Sequence, residues 1–214
     1  MELFRALRFV FSFCLVVALP ACAQTRAPTE ATAALAPLPR FMPTGEFVAP
    51  PSGFIDFCRR NKSDCDGGDA SPVELELTGE RWAELNAVND EVNGFPEISD
   101  EANYGQREYW TYAGAHGGDC EDLALQKRQL LIEKGWPADA LLLTVVTAWE
   151  GAGHAVLLVA TDRDEYVLDN KNWAIISWRD APYAWIKRQS RERPSVWVSV
   201  DVKAMQVAET ASLK

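Results

Sequence analysis

Histidine is scarce in this sequence, and positive charge is outnumbered by negative. Two histidines stand in 214 residues, and 21 Lys and Arg face 31 Asp and Glu, for a formal net charge of −10. Without a positive field to gather phosphates, a nucleic-acid partner is excluded. Long apolar runs are also scarce, and beyond the N-terminus no segment is apolar enough to cross a bilayer. Internal repeats are not apparent, so the length allows one domain with a proper core. Cysteine is limited to five, an odd number that leaves one thiol over if the chain is exported and the others pair.

What is present begins with an address. Arg5 and Arg8 precede the apolar run Phe9 to Leu19, which is followed by Pro20 and the small-residue stretch Ala21-Cys22-Ala23. A basic region, a short apolar region and an A-x-A-like site read as a secretory signal peptide over residues 1–23. Leu19-Pro20-Ala21-Cys22 also loosely resembles a bacterial lipobox, the alternative being a lipid anchor on Cys22. Either way the protein is expected to leave the cytoplasm and, after processing, not to span a membrane. Residues 24–44 are rich in Ala, Pro and Thr and read as a tether that buries too little apolar surface to fold. The folded domain is expected over 45–207, with a tail at 208–214.

Within the domain, helices come first and strands afterwards. Arg81 to Val92 puts Trp82, Leu85, Val88 or Asn89, and Val92 on one helical face, with Thr78 as the cap. A second helix is expected from Cys120 to Lys134, stopped by Gly135 and Pro137. Strands follow at Leu141 to Trp149, His154 to Thr161, Tyr166 to Leu168 and Val196 to Val200, with Asp162 to Glu165 as a hairpin turn. Tyr183 to Gln189 fits either a short helix or an irregular strand. The order implies an α+β architecture.

Three short stretches carry chemistry. Gly117-Gly118-Asp119-Cys120-Glu121-Asp122 places Cys120 at a helix start, where free N–H groups and the helix dipole favour a thiolate and are expected to lower the thiol pKa. The alternative is a cysteine that is simply a small buried residue. Gly151-Ala152-Gly153-His154-Ala155-Val156 opens an apolar strand with His154, a base able to take the thiol proton and return it to a leaving amine. The other histidine, His116, lies in a Gly- and Ala-rich run with nothing to orient it, so His154 is the preferred base. Val167-Leu168-Asp169-Asn170 ends the strand after His154, where Asp169 is placed to hold the imidazole tautomer. Its alternative is an ordinary Asp-Asn turn. Together the three make a nucleophile, a base and an orienting acid.

These blocks, with Glu108-Tyr109-Trp110, Lys127-Arg128, Gly135-Trp136-Pro137, Lys187-Arg188-Gln189-Ser190 and Trp197-Val198-Ser199, resemble the bacterial transglutaminase-like cysteine peptidases, the group that includes the LapG-type periplasmic proteases. The resemblance covers about residues 45–200. It implies a papain-like or transglutaminase-like core, with the nucleophile at a helix N-terminus packed on an antiparallel sheet. It also implies a Cys120–His154–Asp169 triad, a periplasmic location, no organic cofactor and a protein substrate such as a surface adhesin. A membrane-bound receptor would control access. In LapG-type members the acidic residues flanking the nucleophile bind calcium, which maps the metal to Asp119 and Glu121. Two carboxylates are too few for a full site, so carbonyls, waters or a loop such as Asp100 to Tyr104 would have to complete it. The alternative is that both acids serve the helix N-terminus.

Cys58 and Cys65 are spaced for a small disulfide loop that an exported setting permits. No further Cys or His has usable spacing for a metal there. With Cys14 and Cys22 in the leader, Cys120 is then the thiol left over. Trp110 or Tyr109 is a candidate cleft wall, and the Cys120 backbone N–H is the generic oxyanion donor. Two other activities fit the same residues: transfer of the acyl group to an amine, as in a transglutaminase, and a non-catalytic calcium-dependent binding module. An intact set of three argues against the last.

Overall fold

The computed structural model of the chain describes residues 39–65, 72 and 74–201. The leader at 1–23, residues 24–38 of the expected tether and the tail at 208–214 lie outside the described residues, as do Cys14 and Cys22. The end of the expected tether is folded, with Met42 buried in the core and Thr44 opening the first strand.

From Thr44 the chain forms β1 (Thr44–Val48), α1 (Ser52–Arg60), α2 (Lys62–Cys65), α3 (Gly79–Asn93), α4 (Asp100–Tyr104) and α5 (Cys120–Glu133). Six strands follow: β2 (Leu141–Thr147), β3 (Gly153–Ala160), β4 (Glu165–Leu168), β5 (Ile176–Ser177), β6 (Ala184–Gln189) and β7 (Trp197–Val200). The strands join in one sheet of order β1-β7-β6-β2-β3-β4-β5, and every neighbouring pair is antiparallel. This is the expected α+β arrangement, with helix α5 carrying Cys120 at its first residue.

Thr78 caps α3 by accepting from the Arg81 N–H at 3.2 Å, which satisfies one of the donors a helix start leaves free. The α3 stripe of Leu85, Val88, Asn89 and Val92 is buried, whereas Trp82 stays about a third exposed and packs edge-on against Tyr166. Helix α5 differs from an amphipathic surface helix. It buries Leu123, Ala124, Leu125 and Leu131, and with them Glu121, Asp122, Gln126, Lys127 and Arg128. It runs through the middle of the molecule, packed against α3 on one side and β2 and β3 on the other.

The sheet is covered on both faces. Leu141, Leu143, Leu157, Val159, Leu168 and Trp197 meet the helices together with Phe54, Phe57 and Leu85. Leu142, Val146, Val156, Leu158 and Val167 lie on the other face under Met42, Trp178, Ala181 and Trp185. Burial on both faces explains why β2 and β3 read as unbroken apolar runs rather than alternating ones. Each fully buried Leu contributes about 2 kcal/mol.

Some elements differ from the sequence expectation. β2 ends at Thr147 because Ala148 turns, its carbonyl accepting from the Gly151 N–H at 2.8 Å. The ambiguous Tyr183 to Gln189 segment is strand β6, bulged against β2 at Val145 and Val146. Strands β1 and β5 and helices α1, α2 and α4 were not anticipated. Cys58 and Cys65 form the expected disulfide, tying α1 to α2.

Candidate active site

The loop that leads into Cys120 is built on close backbone approach. The Gly118 N–H donates to the Pro96 carbonyl at 3.1 Å, and the Ile98 N–H donates to the Gly118 carbonyl at 3.0 Å. Gly117 has φ +85°, and a Cβ there would stand 2.1 Å from the Pro96 oxygen. At Gly118 a Cβ would meet the Asp122 carboxylate at 2.5 Å. No other residue type fits either place. The two hydrogen bonds lay the chain before α4 alongside Gly118 and Asp119, which is how Asp100 reaches the start of α5.

Cys120 is a free, part-buried thiol. It shares a cavity of about 400 Å³ with His154, Glu108, Trp110, Ala155 and Lys187. Its S–H donates to Glu121 Oε2 at 3.0 Å, and its sulfur accepts the Ala155 backbone N–H. His154 is 4% exposed on β3. Its Nε2 lies 2.8 Å from Asp169 Oδ1. A carboxylate only accepts, so this bond places the ring proton on Nε2 and leaves the Nδ1 lone pair free to take a proton. His116, by contrast, is exposed on a single 3-10 turn, Gly114–His116, and does not line this cavity.

Asp169 follows β4 and is held from several sides. Its Oδ1 also accepts the Lys171 N–H at 3.0 Å, and its Oδ2 accepts the Tyr183 hydroxyl. Asn93 donates to the Asp169 carbonyl at 2.8 Å, and Asn89 to the Trp173 carbonyl at 2.9 Å, so α3 pins the segment from behind. Burial works against ionisation of Asp169, but the hydrogen bonds from His154 and Tyr183 outweigh it and hold the carboxyl below its ordinary pKa.

The thiol behaves otherwise than the helix start alone predicts. Burial, then the charge and hydrogen bond of Glu121, push Cys120 well above the ordinary thiol pKa, and the Ala155 N–H only partly opposes them. The dipole at a helix N-terminus is a modest effect of about 1 kcal/mol. It loses to desolvation and to a carboxylate one residue away.

That carboxylate belongs to a cluster. Asp100, Asp119 and Glu121 each bring an oxygen within 4.8 Å of the others. Burial and the Asp119 charge push Glu121 up to about 8. Burial also raises Asp100, with Asp119 and Glu108 adding to it and the Tyr109 N–H opposing. Asp100 Oδ1 and Asp119 Oδ1 are buried without a hydrogen-bond partner among the described residues. Two buried orphan oxygens and a third carboxylate beside them make a hard donor set that suits Ca²⁺. Asp119 and Glu121 are thus joined by the first residue of the proposed Asp100 to Tyr104 loop. Asp122, buried and raised to about 7 chiefly by burial, instead accepts the Thr111 N–H at 2.7 Å and supports the wall of the cleft.

Sequence reasoning did not find Tyr183 or Lys127 as neighbours of Asp169. Both come to it through strand register and helix packing, which leave no local signal.

The pattern of one family, described as bacterial transglutaminase-like cysteine proteinase (BTLCP), matches residues 44–205. Solved structures of LapG from Legionella pneumophila are similar to this chain. The calcium-bound form is 21% identical, with TM-score 0.48, covering 61% of this chain and 80% of that one. A second is 24% identical, with TM-score 0.47, covering 61% and 75%. The EGTA-treated form is 22% identical, with TM-score 0.46, covering 61% and 76%. No curated protein sequence matches the chain.

Proposed function

This chain belongs to the bacterial transglutaminase-like cysteine proteinases, and from that premise we propose that it is an exported peptidase working through Cys120, His154 and Asp169. The single observation that carries the reading is the His154–Asp169 hydrogen bond beside the cavity that Cys120 lines. It fixes the imidazole in the tautomer whose free Nδ1 can accept a proton.

In this reading His154 Nδ1 takes the Cys120 proton as the sulfur attacks a peptide carbonyl, and the C–S bond forms. The imidazolium, stabilised by Asp169, gives that proton to the leaving amine as the C–N bond breaks. Water then hydrolyses the thioester, with His154 again taking and returning the proton. The Cys120 backbone N–H at the helix start is the candidate donor to the oxyanion. Because burial keeps the proton on sulfur, activation rests on His154 rather than on a standing thiolate.

Asp100, Asp119 and Glu121 would hold a calcium ion, with water and backbone oxygens filling the remaining positions. Bound there, the ion supplies positive charge next to the nucleophile and an anchor for the Asp100 segment. The leader pattern at 1–23 and the Cys58–Cys65 disulfide support an oxidising compartment, the periplasm, with an anchor on Cys22 as the variant form. A peptidase implies a protein substrate. By its likeness to LapG-type members we take this to be a surface protein such as an adhesin, with access governed by a membrane-bound receptor.

The test is comparative proteomics of surface and exported proteins from wild-type and Cys120→Ala strains. A protein cut in the first and intact in the second is the expected result, and identical patterns would sink the reading. Incubating the intact substrate and the enzyme with a labelled amine separates hydrolysis from transfer, because water leaves a free carboxylate at the cut while transfer leaves the labelled amide.

A further inference from the structure

A carboxylate can hold an imidazole in one tautomer only if the carboxylate itself cannot turn. Asp169 is 2% exposed, and its two oxygens are fixed by different groups. Oδ1 receives His154 Nε2 at 2.8 Å and the Lys171 N–H at 3.0 Å, while Oδ2 receives the Tyr183 hydroxyl. Among the described residues the phenol is the partner found for Oδ2.

The sheet brings Tyr183 to this place. His154 on β3 pairs with Val146 on β2, and Val146 pairs with Trp185 on β6. Tyr183 stands two residues before Trp185, just ahead of β6, and its ring meets the Trp185 ring edge-on at 6.1 Å. Its N–H is held by the Ala181 carbonyl at 2.8 Å. The ring lies 5.7 Å from the His154 ring and is stacked on Trp149 at 5.9 Å and 16°. Trp149, Tyr183, Pro182, Lys171 and Asp169 line a second cavity of about 360 Å³ that Cys120 does not line. Tyr183 and Asp169 thus meet at the wall of that cavity, the hydroxyl bonded to Oδ2. Burial and the Asp169 contact raise the phenol's pKa, so it stays a donor at any pH the protein meets.

We propose that Tyr183 is a positioning residue for this site: its hydroxyl locks Asp169 so that Oδ1 faces His154, and its ring covers the imidazole. The proposal rests on the reading of His154 as the base for Cys120. Removing the hydroxyl leaves one oxygen of a buried carboxylate unpaired and the carboxylate free to turn. The His154 tautomer is then no longer held.

The experiment is a double-mutant cycle read by the rate of iodoacetamide alkylation of Cys120, which needs no identified substrate. Tyr183→Phe keeps the ring and should slow alkylation about 10- to 100-fold, as expected for loss of a hydrogen bond to a charged group. Asp169→Asn should also slow it, and Tyr183→Phe added to Asp169→Asn should slow it no further, because the phenol acts through that carboxylate. A phenol that merely filled space would give losses that multiply, which would overturn the proposal, as would a wild-type rate in Tyr183→Phe. His154→Ala in the same series keeps the two ideas apart. Were it as fast as wild type, the base reading itself would fail. Were it slow while Tyr183→Phe is fast, only the role of Tyr183 would fail.

Discussion

Replacing Lys127 by Met tests how the buried centre of the molecule is charged. Lys127 lies on α5 and is 1% exposed. Burial pushes its ammonium down to about 7, with the Asp169 charge working the other way. In the unfolded chain a lysine holds its proton to about pH 10.4. Between about pH 7 and about pH 10 the unfolded state therefore binds more protons than the folded one, and the stability owed to this residue rises with pH at about 1.4 kcal/mol per unit. Below about pH 7 both states are protonated and the full cost of burying the charge is felt. Methionine has similar length and no titration. Lys127→Met should thus be more stable than wild type at neutral pH, and its advantage should shrink by about 2 kcal/mol between about pH 7 and about pH 9. Taking the difference between the two proteins cancels Glu121 and Asp122, whose carboxyls titrate near 8 and 7. Urea unfolding followed by tryptophan fluorescence at several pH values gives the numbers. A gap that does not change with pH would refute the claim that Lys127 titrates in the folded protein.

Two further results are expected. Isothermal titration with calcium should give binding in wild type that Asp100→Asn and Asp119→Ala weaken by about tenfold or more, since each removes a charged ligand from a set of three; no heat with wild type would remove the metal. Replacing Cys58 and Cys65 by Ser opens a loop with sequence separation 7, for which chain entropy predicts a loss of about 2 kcal/mol in urea unfolding. An unchanged midpoint would mean that the loop is equally ordered without the bridge.

Much of this was legible in the sequence where the signal is local. The Thr78 cap, the start of α5 at Cys120 and the apolar runs of β2 and β3 all depend on residues a few positions apart. The His154–Asp169 pairing followed from two strands joined by a short turn, which spans Thr161 to Asp164 because Glu165 already pairs with Ala160. Asp100 was legible only as part of a loop, because it reaches Asp119 through the bridge between Glu97 and Gly118. Tyr183 was not legible at all, since two strand registers, β3 on β2 and β2 on β6, intervene between it and His154. The expectation of a lowered Cys120 pKa failed for a related reason. The helix dipole can be read from sequence, but the burial of α5 on nearly every side cannot, and burial wins. The short elements β5 and α2 carry too few residues for any periodicity to show.

The most direct measurement is the alkylation rate of Cys120 by iodoacetamide near pH 7, with calcium present and the labelled peptide mapped, in wild type and in His154→Ala. If His154 is the base that takes the thiol proton, the variant should react about tenfold or more slowly. Equal rates in the two proteins would contradict a Cys120–His154 peptidase.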